Sequence, residues 1–586
     1  MKRTITLMSK LLRRPETWAV AALVSVSACG NLDVVNPNEP DARRALSDPG
    51  GVEAIAGGTF RTWFNTHQGM DGAGPLTTMA DSYTASWNNY YMRLYSASII
   101  SSDGPSCIGC LARTYWRNDP ADAERTAVEH YWYGYYSALS SANDVVTAVR
   151  KNNVVIDDAP TTKMIETVGV LMQGMTMGEL SLNYDSAFVV DENSDLTALQ
   201  FSHRLAVRDT AVAKLEAAAA LAAANAFSTP ASWTNGTAYD NTQIARLART
   251  YAARLLAYYP RNGTENGTAN WARVATLASA GISTGGAFDF QFTGDGGTLF
   301  FDDLKDWSED LTTERVHTRV AHMLDPLTQK DPWPNPTGNP QPNSPDKRLG
   351  DGSYGTAADV AGWGTVPKTA NAGTDFAWSG FNIFRPARGM YHQSNITHIR
   401  YDYASFSDPA GTGGAFGRDP VITATENDLL WAEALIRGPT PNLALAATLI
   451  NYTRVGPDRL GRPRGGLTPA TAADANLLDE LLYEQDVELP GSNTVPFYNM
   501  RRIDKLEPNT PHEMPVPAVE LGVDLQPLYT CGGAAHPDGS CDAHAAPAPP
   551  AVVAALVTNA RRVWADMQQE ASVRFHRYGL KGRLRQ

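Results

Sequence analysis

Three shortages frame this 586-residue chain: cysteine, positive charge and long apolar runs. Five cysteines are too few to staple a chain of this size, so its stability has to come from a hydrophobic core. With 43% hydrophobic residues it can build one. Past residue 28, no segment approaches the roughly 18 consecutive apolar residues that a membrane-spanning helix needs. The formal charge is −13. Residues 1–28 hold five bases and one acid; setting them aside leaves 44 bases against 61 acids, a net −17. A surface that acidic repels phosphate backbones, which excludes nucleic acid as a natural partner. Catalytic signatures are also scarce. There is no His-Glu-x-x-His pair, and neither a serine nucleophile elbow nor a phosphate-cradling glycine loop is expected.

What is present begins at the N-terminus. Basic residues precede an apolar run from Trp18 to Val26, followed by Ser27, Ala28, Cys29 and Gly30. This is the layout of a secretory signal, too short to anchor by itself. Val-Ser-Ala-Cys resembles the lipobox of bacterial lipoproteins, which makes Cys29 the expected lipidation site and residues 1–28 a signal peptide. Acyl chains on Cys29 would supply the two or more membrane signals that stable anchoring needs. Residues 29–40, rich in Asn and Pro, read as a tether.

Export implies an oxidising compartment, and the other four cysteines fall into two local pairs, Cys107/Cys110 and Cys531/Cys541. A loop-closing disulfide is expected for the second pair. The spacing Cys531-x4-His536-x4-Cys541-x2-His544 also superficially resembles a four-ligand zinc site. No cofactor or metal is expected elsewhere. His317/His322 and His392/His398 lack one-face helical spacing, and Asp295 with Asp302/Asp303 forms no complete calcium loop.

Helical periodicity dominates the rest. Val52, Ile55, Ala56, Thr59, Phe60 and Trp63 share one face, with Ser47-Asp48-Pro49 as a helix start. Helices are expected at 122–150, 163–184, 203–226, 243–259, 270–280, 422–437, 443–454, 473–489 and 551–578. Short connections make antiparallel pairs the natural arrangement, although no strict tetratricopeptide signature appears. Two stretches break the period. Residues 68–119 gather aromatics in a polar setting, and about 285–419 form a long irregular insertion rich in Gly, Pro and Asn. The predicted fold is mostly α, one large domain over 41–530 followed by a C-terminal extension at 531–586.

These pieces stand in the order found in the SusD/RagB family of outer-membrane nutrient-binding lipoproteins. Cys29-Gly-Asn-Leu-Asp-Val-Val-Asn-Pro-Asn resembles the family's tether, and Trp132–Val145 and Gly169–Asp191 resemble its first long helices. Asp346-Lys-Arg-Leu, Asn427-Asp-Leu-Leu-Trp-Ala-Glu-Ala, Ile450-Asn-Tyr-Thr-Arg-Val, Glu480–Leu489, Arg501-Arg502 and Met514-Pro-Val-Pro-Ala-Val-Glu-Leu resemble later motifs. The chain departs from the pattern at Glu488-Leu489-Pro490-Gly and in its added C-terminal residues. The resemblance implies paired tetratricopeptide-like helices with a loop-rich ligand face and no catalysis. It also implies a glycan or peptide ligand, an outer-membrane lipid anchor facing outward, and a TonB-dependent transporter barrel of the SusC type as partner.

Ligand capture has a physical basis in the residues. Sugar rings present apolar C–H faces that suit aromatic platforms flanked by amides and hydroxyls. Trp87, Asn88, Tyr90 and Tyr91 form the best local cluster, and Trp333, Trp363 and Trp378 could complete an arc. The same residues could instead pin loops to the scaffold. Trp132, Trp271 and Trp431 lie inside helices and are expected in the core. A hydrolase would need paired carboxylates, and Glu426/Asp428/Glu433 and Glu480/Glu484/Glu488 are the candidates, more naturally read as salt-bridged.

Overall fold

The computed structural model describes residues 45–85, 88, 91–98, 111–308, 314–332, 339–353, 369–378, 392–400 and 416–542. Cys29, Trp87, Tyr90, Cys107, Cys110, Trp333, Trp363 and the expected helix at 551–578 lie outside them. The chain divides into Met1–Asp48, of which residues 45–48 form a turn, and Pro49–Gln586, which holds everything below.

The second unit is mostly helical. In chain order come α1 (Pro49–His67), α2 (Met70–Met79), β1 (Tyr83–Ala85), α3 (Met92–Tyr95), α4 (Thr126–Arg150) and α5 (Ala159–Asn183). Then follow the β2–β3 pair (Ser186–Phe188, Phe201–His203), α6 (Arg204–Ala224), α7 (Asn241–Tyr258) and α8 (Trp271–Ala278). After β4 (Phe290–Asp295) come α9 (Asp303–Ser308), β5 (Glu314–Val316), α10 (Thr318–Leu324), β6 (Phe376–Trp378), β7 (Ile396–His398) and β8 (Phe416–Ile422). Helices α11 (Ala424–Arg437), α12 (Leu443–Arg454), α13 (Leu477–Glu488), α14 (Val495–Arg502) and α15 (Ala518–Val523) complete the described chain.

Each long helix packs on the next, from α4 through α7, because its start and its stripe are written locally. Asp158 caps α5 by accepting the Thr161 amide at 2.8 Å, with Pro160 in the first turn. Asp240 and Gln243 close a capping box at α7. The stripe of α4, from Val128 through Trp132, Tyr135 and Leu139 to Val146, is buried; burying a side chain such as Leu139 contributes about 1.5–3 kcal/mol. Helix α5 is different, buried on every side from Met164 to Asn183. Three of its glycines face three different helices. A Cβ at Gly169 would meet Val146 of α4 at 2.7 Å, one at Gly174 Leu215 of α6 at 2.7 Å, and one at Gly178 Leu255 of α7 at 2.8 Å. Glycine here sets how closely the helices approach.

The insertion is less irregular than its composition suggests. Strand β4 pairs antiparallel with β8, Phe292 opposite Asp419, and lays Phe290 and Phe292 against Phe60, Trp63 and Phe64 of α1. Buried Lys305 closes that junction, bonding Asp302 at 3.1 Å and also Asp419. Strand β1 pairs with β5, the Ser394 amide donates to the Val316 carbonyl at 3.3 Å, and β7 pairs antiparallel with β6. The early aromatic segment and the insertion therefore share one hydrogen-bonded ribbon. Two expected tryptophans, Trp132 and Trp271, are buried, while Trp431 is half-buried against the core.

Candidate functional site

A cleft of about 310 Å³ opens where the segment after α3 meets residues 528–542. Tyr115, Arg117, Asp119, Asp122, Leu528 and Asp542 line it. Its floor is fixed by three anchors. Arg113 donates to Asp81 at 2.6 Å and to the Met79 carbonyl at 2.7 Å. Buried Trp116 donates its indole N–H to the Glu513 carbonyl at 3.0 Å, and its amide bonds the Cys531 carbonyl at 3.1 Å. Asn118 bridges the Val516 and Tyr529 carbonyls, each at 3.0 Å. Cys531 and Cys541 are joined in a disulfide, so their sulfurs are closed to zinc. The loop they close lies directly against Trp116.

On this floor Tyr115 stands 42% exposed. Arg117 lies between two rings, 5.3 Å from the centroid of Tyr91 and 5.2 Å from that of Tyr115. It donates to the Tyr115 hydroxyl at 2.8 Å and to Asp122 at 2.7 Å. The Asp122 carboxyl sits below its ordinary range, first because it accepts the Glu124 amide, then because of Arg117. Tyr91 holds a left-handed backbone, φ 60°, which is strained for a bulky residue, and packs edge-on to Tyr95 at 5.8 Å. The result is an exposed aromatic face rimmed by carboxylates and backed by a guanidinium, a surface suited to a hydroxyl-rich ring. A larger open groove of about 810 Å³ offers less, because Tyr452 packs on the core and Arg459 covers it at 4.1 Å.

Of the candidates read from sequence, Asn88, Tyr91 and Trp378 are described. Tyr91 borders the cleft through Arg117. Trp378 sits half-buried on β6 opposite Ile396, its amide bonded to the Gly352 carbonyl at 2.8 Å. Asn88 is half-buried, its carbonyl accepting the Tyr91 amide at 3.2 Å. Arg117 and the 528–542 wall were not legible as a site, since their partners lie some 400 residues apart in the chain with no local signal.

The chemistry expected of other groups is also decided by contacts. Gly281-Ile-Ser283-Thr-Gly285 does spell Gly-x-Ser-x-Gly, against expectation. It follows a helix rather than a strand, and Ser283 is buried with its Oγ accepting from Asn427 at 2.6 Å, so no exposed nucleophile results. Glu433 is held by Arg502 at 2.5 Å, Glu426 by Arg254 at 2.6 Å, and Glu484 and Glu488 by Arg348 at 2.7 Å each. All four are buried. Asp295 caps a turn by accepting the Thr298 amide at 2.9 Å.

Among the described residues, one trio of metal-type ligands converges, His317, Asp331 and His392. The two histidines stack at 4.9 Å across the insertion, a pairing that local spacing did not show. Burial pushes His317 down to about 4, so its ring is neutral near pH 7. Its Nδ1 accepts the Arg319 amide at 3.0 Å, which leaves the proton on Nε2, 3.4 Å from Asp81. Neither nitrogen then has a lone pair for a metal.

No protein-family model matches the sequence, and no curated protein does. Solved structures do. A SusD-like carbohydrate binding protein from Bacteroides fragilis superposes with a TM-score of 0.51 at 14% identity, over 78% of this chain and 86% of its own. A SusD superfamily protein from Bacteroides thetaiotaomicron gives 0.50 at 11% identity, over 77% and 88%. This chain has the SusD fold. On that scaffold, two of the motif sets that carried the sequence resemblance are internal clamps. Asp346 and Arg348 bond at 2.6 Å and reach α13, while Glu433 of α11 bonds Arg502 of α14. They hold the SusD fold together and do not line the Tyr115 cleft.

Proposed function

We propose that the protein is a nutrient-binding lipoprotein of the cell surface that captures a glycan and passes it to a TonB-dependent outer-membrane barrel. The observation that carries this reading is the exposed Tyr115 ring, backed by Arg117 and rimmed by Asp119, Asp122 and Asp542. It occurs on a fold shared with a SusD-like carbohydrate binding protein. Carboxylates accept hydrogen bonds from sugar hydroxyls while the ring covers the C–H face. In this reading Cys29 carries the acyl anchor, and Trp87, Tyr90, Trp333, Trp363 and Trp378 extend the contact surface. The acids of the rim also favour a second ligand class, cationic oligopeptides.

Affinity electrophoresis through gels containing different polysaccharides tests the proposal. One glycan should retard the protein, and Tyr115→Ala or Trp87→Ala should relieve the retardation. If no glycan retards it and a basic peptide binds, the ligand is peptide and the glycan reading fails. Acyl labelling that is unchanged in Cys29→Ser would remove the anchor.

A further inference from the structure

A second cavity, of about 190 Å³, shares no lining residue with the Tyr115 cleft. Its wall carries four arginines, Arg400, Arg418, Arg462 and Arg464, against two carboxylates, Asp375 and Glu488. Both carboxylates already have cationic partners. Arg400 meets Asp375 at 2.9 Å, and Arg348 meets Glu488 at 2.7 Å from behind the wall. Arg462 is likewise paired, to Asp458 at 2.6 Å and Asp289 at 2.8 Å.

Two arginines retain donors. Arg464 is only 7% exposed; its Nη2 bonds Asp458 at 2.9 Å, yet its Nε is buried with no hydrogen-bond partner among the described residues. The nearest approach of that Nε to Glu488 is 3.7 Å, too long for a hydrogen bond. Arg418 stands exposed on the same wall with no ion pair among the described residues. A buried guanidinium donor left without an acceptor is costly, and the fork of an arginine fits a planar or tetrahedral oxyanion. The cavity is also far larger than one water requires.

We propose that this cavity binds a small oxyanion, held by Arg464 Nε within and the Arg418 fork at the wall. The same chemistry is offered by a free inorganic anion and by the carboxylate of a uronic acid sugar. The inference goes beyond glycan capture and does not rest on it, because a free anion would bind in either case.

Calorimetric titration of the full chain with sodium sulfate and, separately, with galacturonate tests it. Chloride holds the ionic strength constant, and galactose serves as the neutral control. Saturable binding of either anion, with none for galactose, is expected. Arg418→Ala should weaken it about tenfold or more, the equivalent of one charge-assisted hydrogen bond. Arg418 is exposed and has no ion pair among the described residues, so the variant should melt like the parent, which controls for folding. Galacturonate alone points to an acidic sugar and sulfate alone to a free anion; both outcomes support the site. No saturable binding of either, or unchanged affinity in Arg418→Ala, overturns it. Neither probe is a polysaccharide, so this result and the gel retardation can fail independently.

Discussion

The surroundings of α11 and the Tyr115 cleft handle charge in opposite ways. Around α11, Glu426 and Glu433 are buried and met by arginines from α7 and α14 at hydrogen-bonding distance. Those carboxylates are fully engaged, so they serve architecture. In the cleft, Arg117 and Asp122 are paired too, but on an open wall where the Tyr115 ring still faces water. The same two residue types become a clamp or a platform depending on what else can reach them. Burial, rather than composition, separates the two roles.

That contrast can be broken from the clamp side first. Glu433→Ala leaves Arg502 buried and unpaired, and should lower stability by about 3–5 kcal/mol in denaturant unfolding. Acid should act through the same group. Burial alone would raise the Glu433 carboxyl, but Arg502 overrides it and holds the folded value at about 2, from 4.5. A depressed acid stabilises the fold fully above about pH 4.5 and loses that contribution as pH falls toward 2, about 3 kcal/mol in all. Unfolding measured against pH should show a limb smaller by about that amount in Glu433→Ala than in the parent, the remainder coming from other depressed acids such as Glu192. Removing the bridge beneath the cleft comes next. Closing a loop of sequence separation 10 is worth about 2–3 kcal/mol, so Cys531→Ser with Cys541→Ser should lower stability by that amount. Proteolysis should then appear near residues 531–541. The smallest expected effect sharpens the comparison most. Tyr115→Ala should change stability by less than about 0.5 kcal/mol, as an exposed ring should. A large loss there would mean that Tyr115 is a structural residue.

The long helices were legible because their stripes and caps are local. The expected 443–454 helix coincides with Leu443–Arg454, and the others that fall within the described residues shift by a few residues at their ends. Helix α2 was hidden inside a stretch read as aperiodic. It contains Gly72, Gly74 and Pro75, and nine of its ten residues are buried, so no polar face marks the period. Helix α14 was hidden for a related reason, since Arg501 and Arg502 look like surface residues and are buried. Half of the cleft could be suspected from Tyr91, Tyr115 and Trp116. The other wall is supplied by residues far along the chain, and no property of Leu528 or Asp542 alone points to Arg117.

The three glycines of α5 also fix how the bundle can deform. Each works like a notch engaged by a side chain of a different neighbour, Val146, Leu215 or Leu255. Sliding α4 along α5 by one turn would drive Val146 from Gly169 toward Ile165 or Gln173, both far bulkier. The α4–α5 contact therefore resists shear.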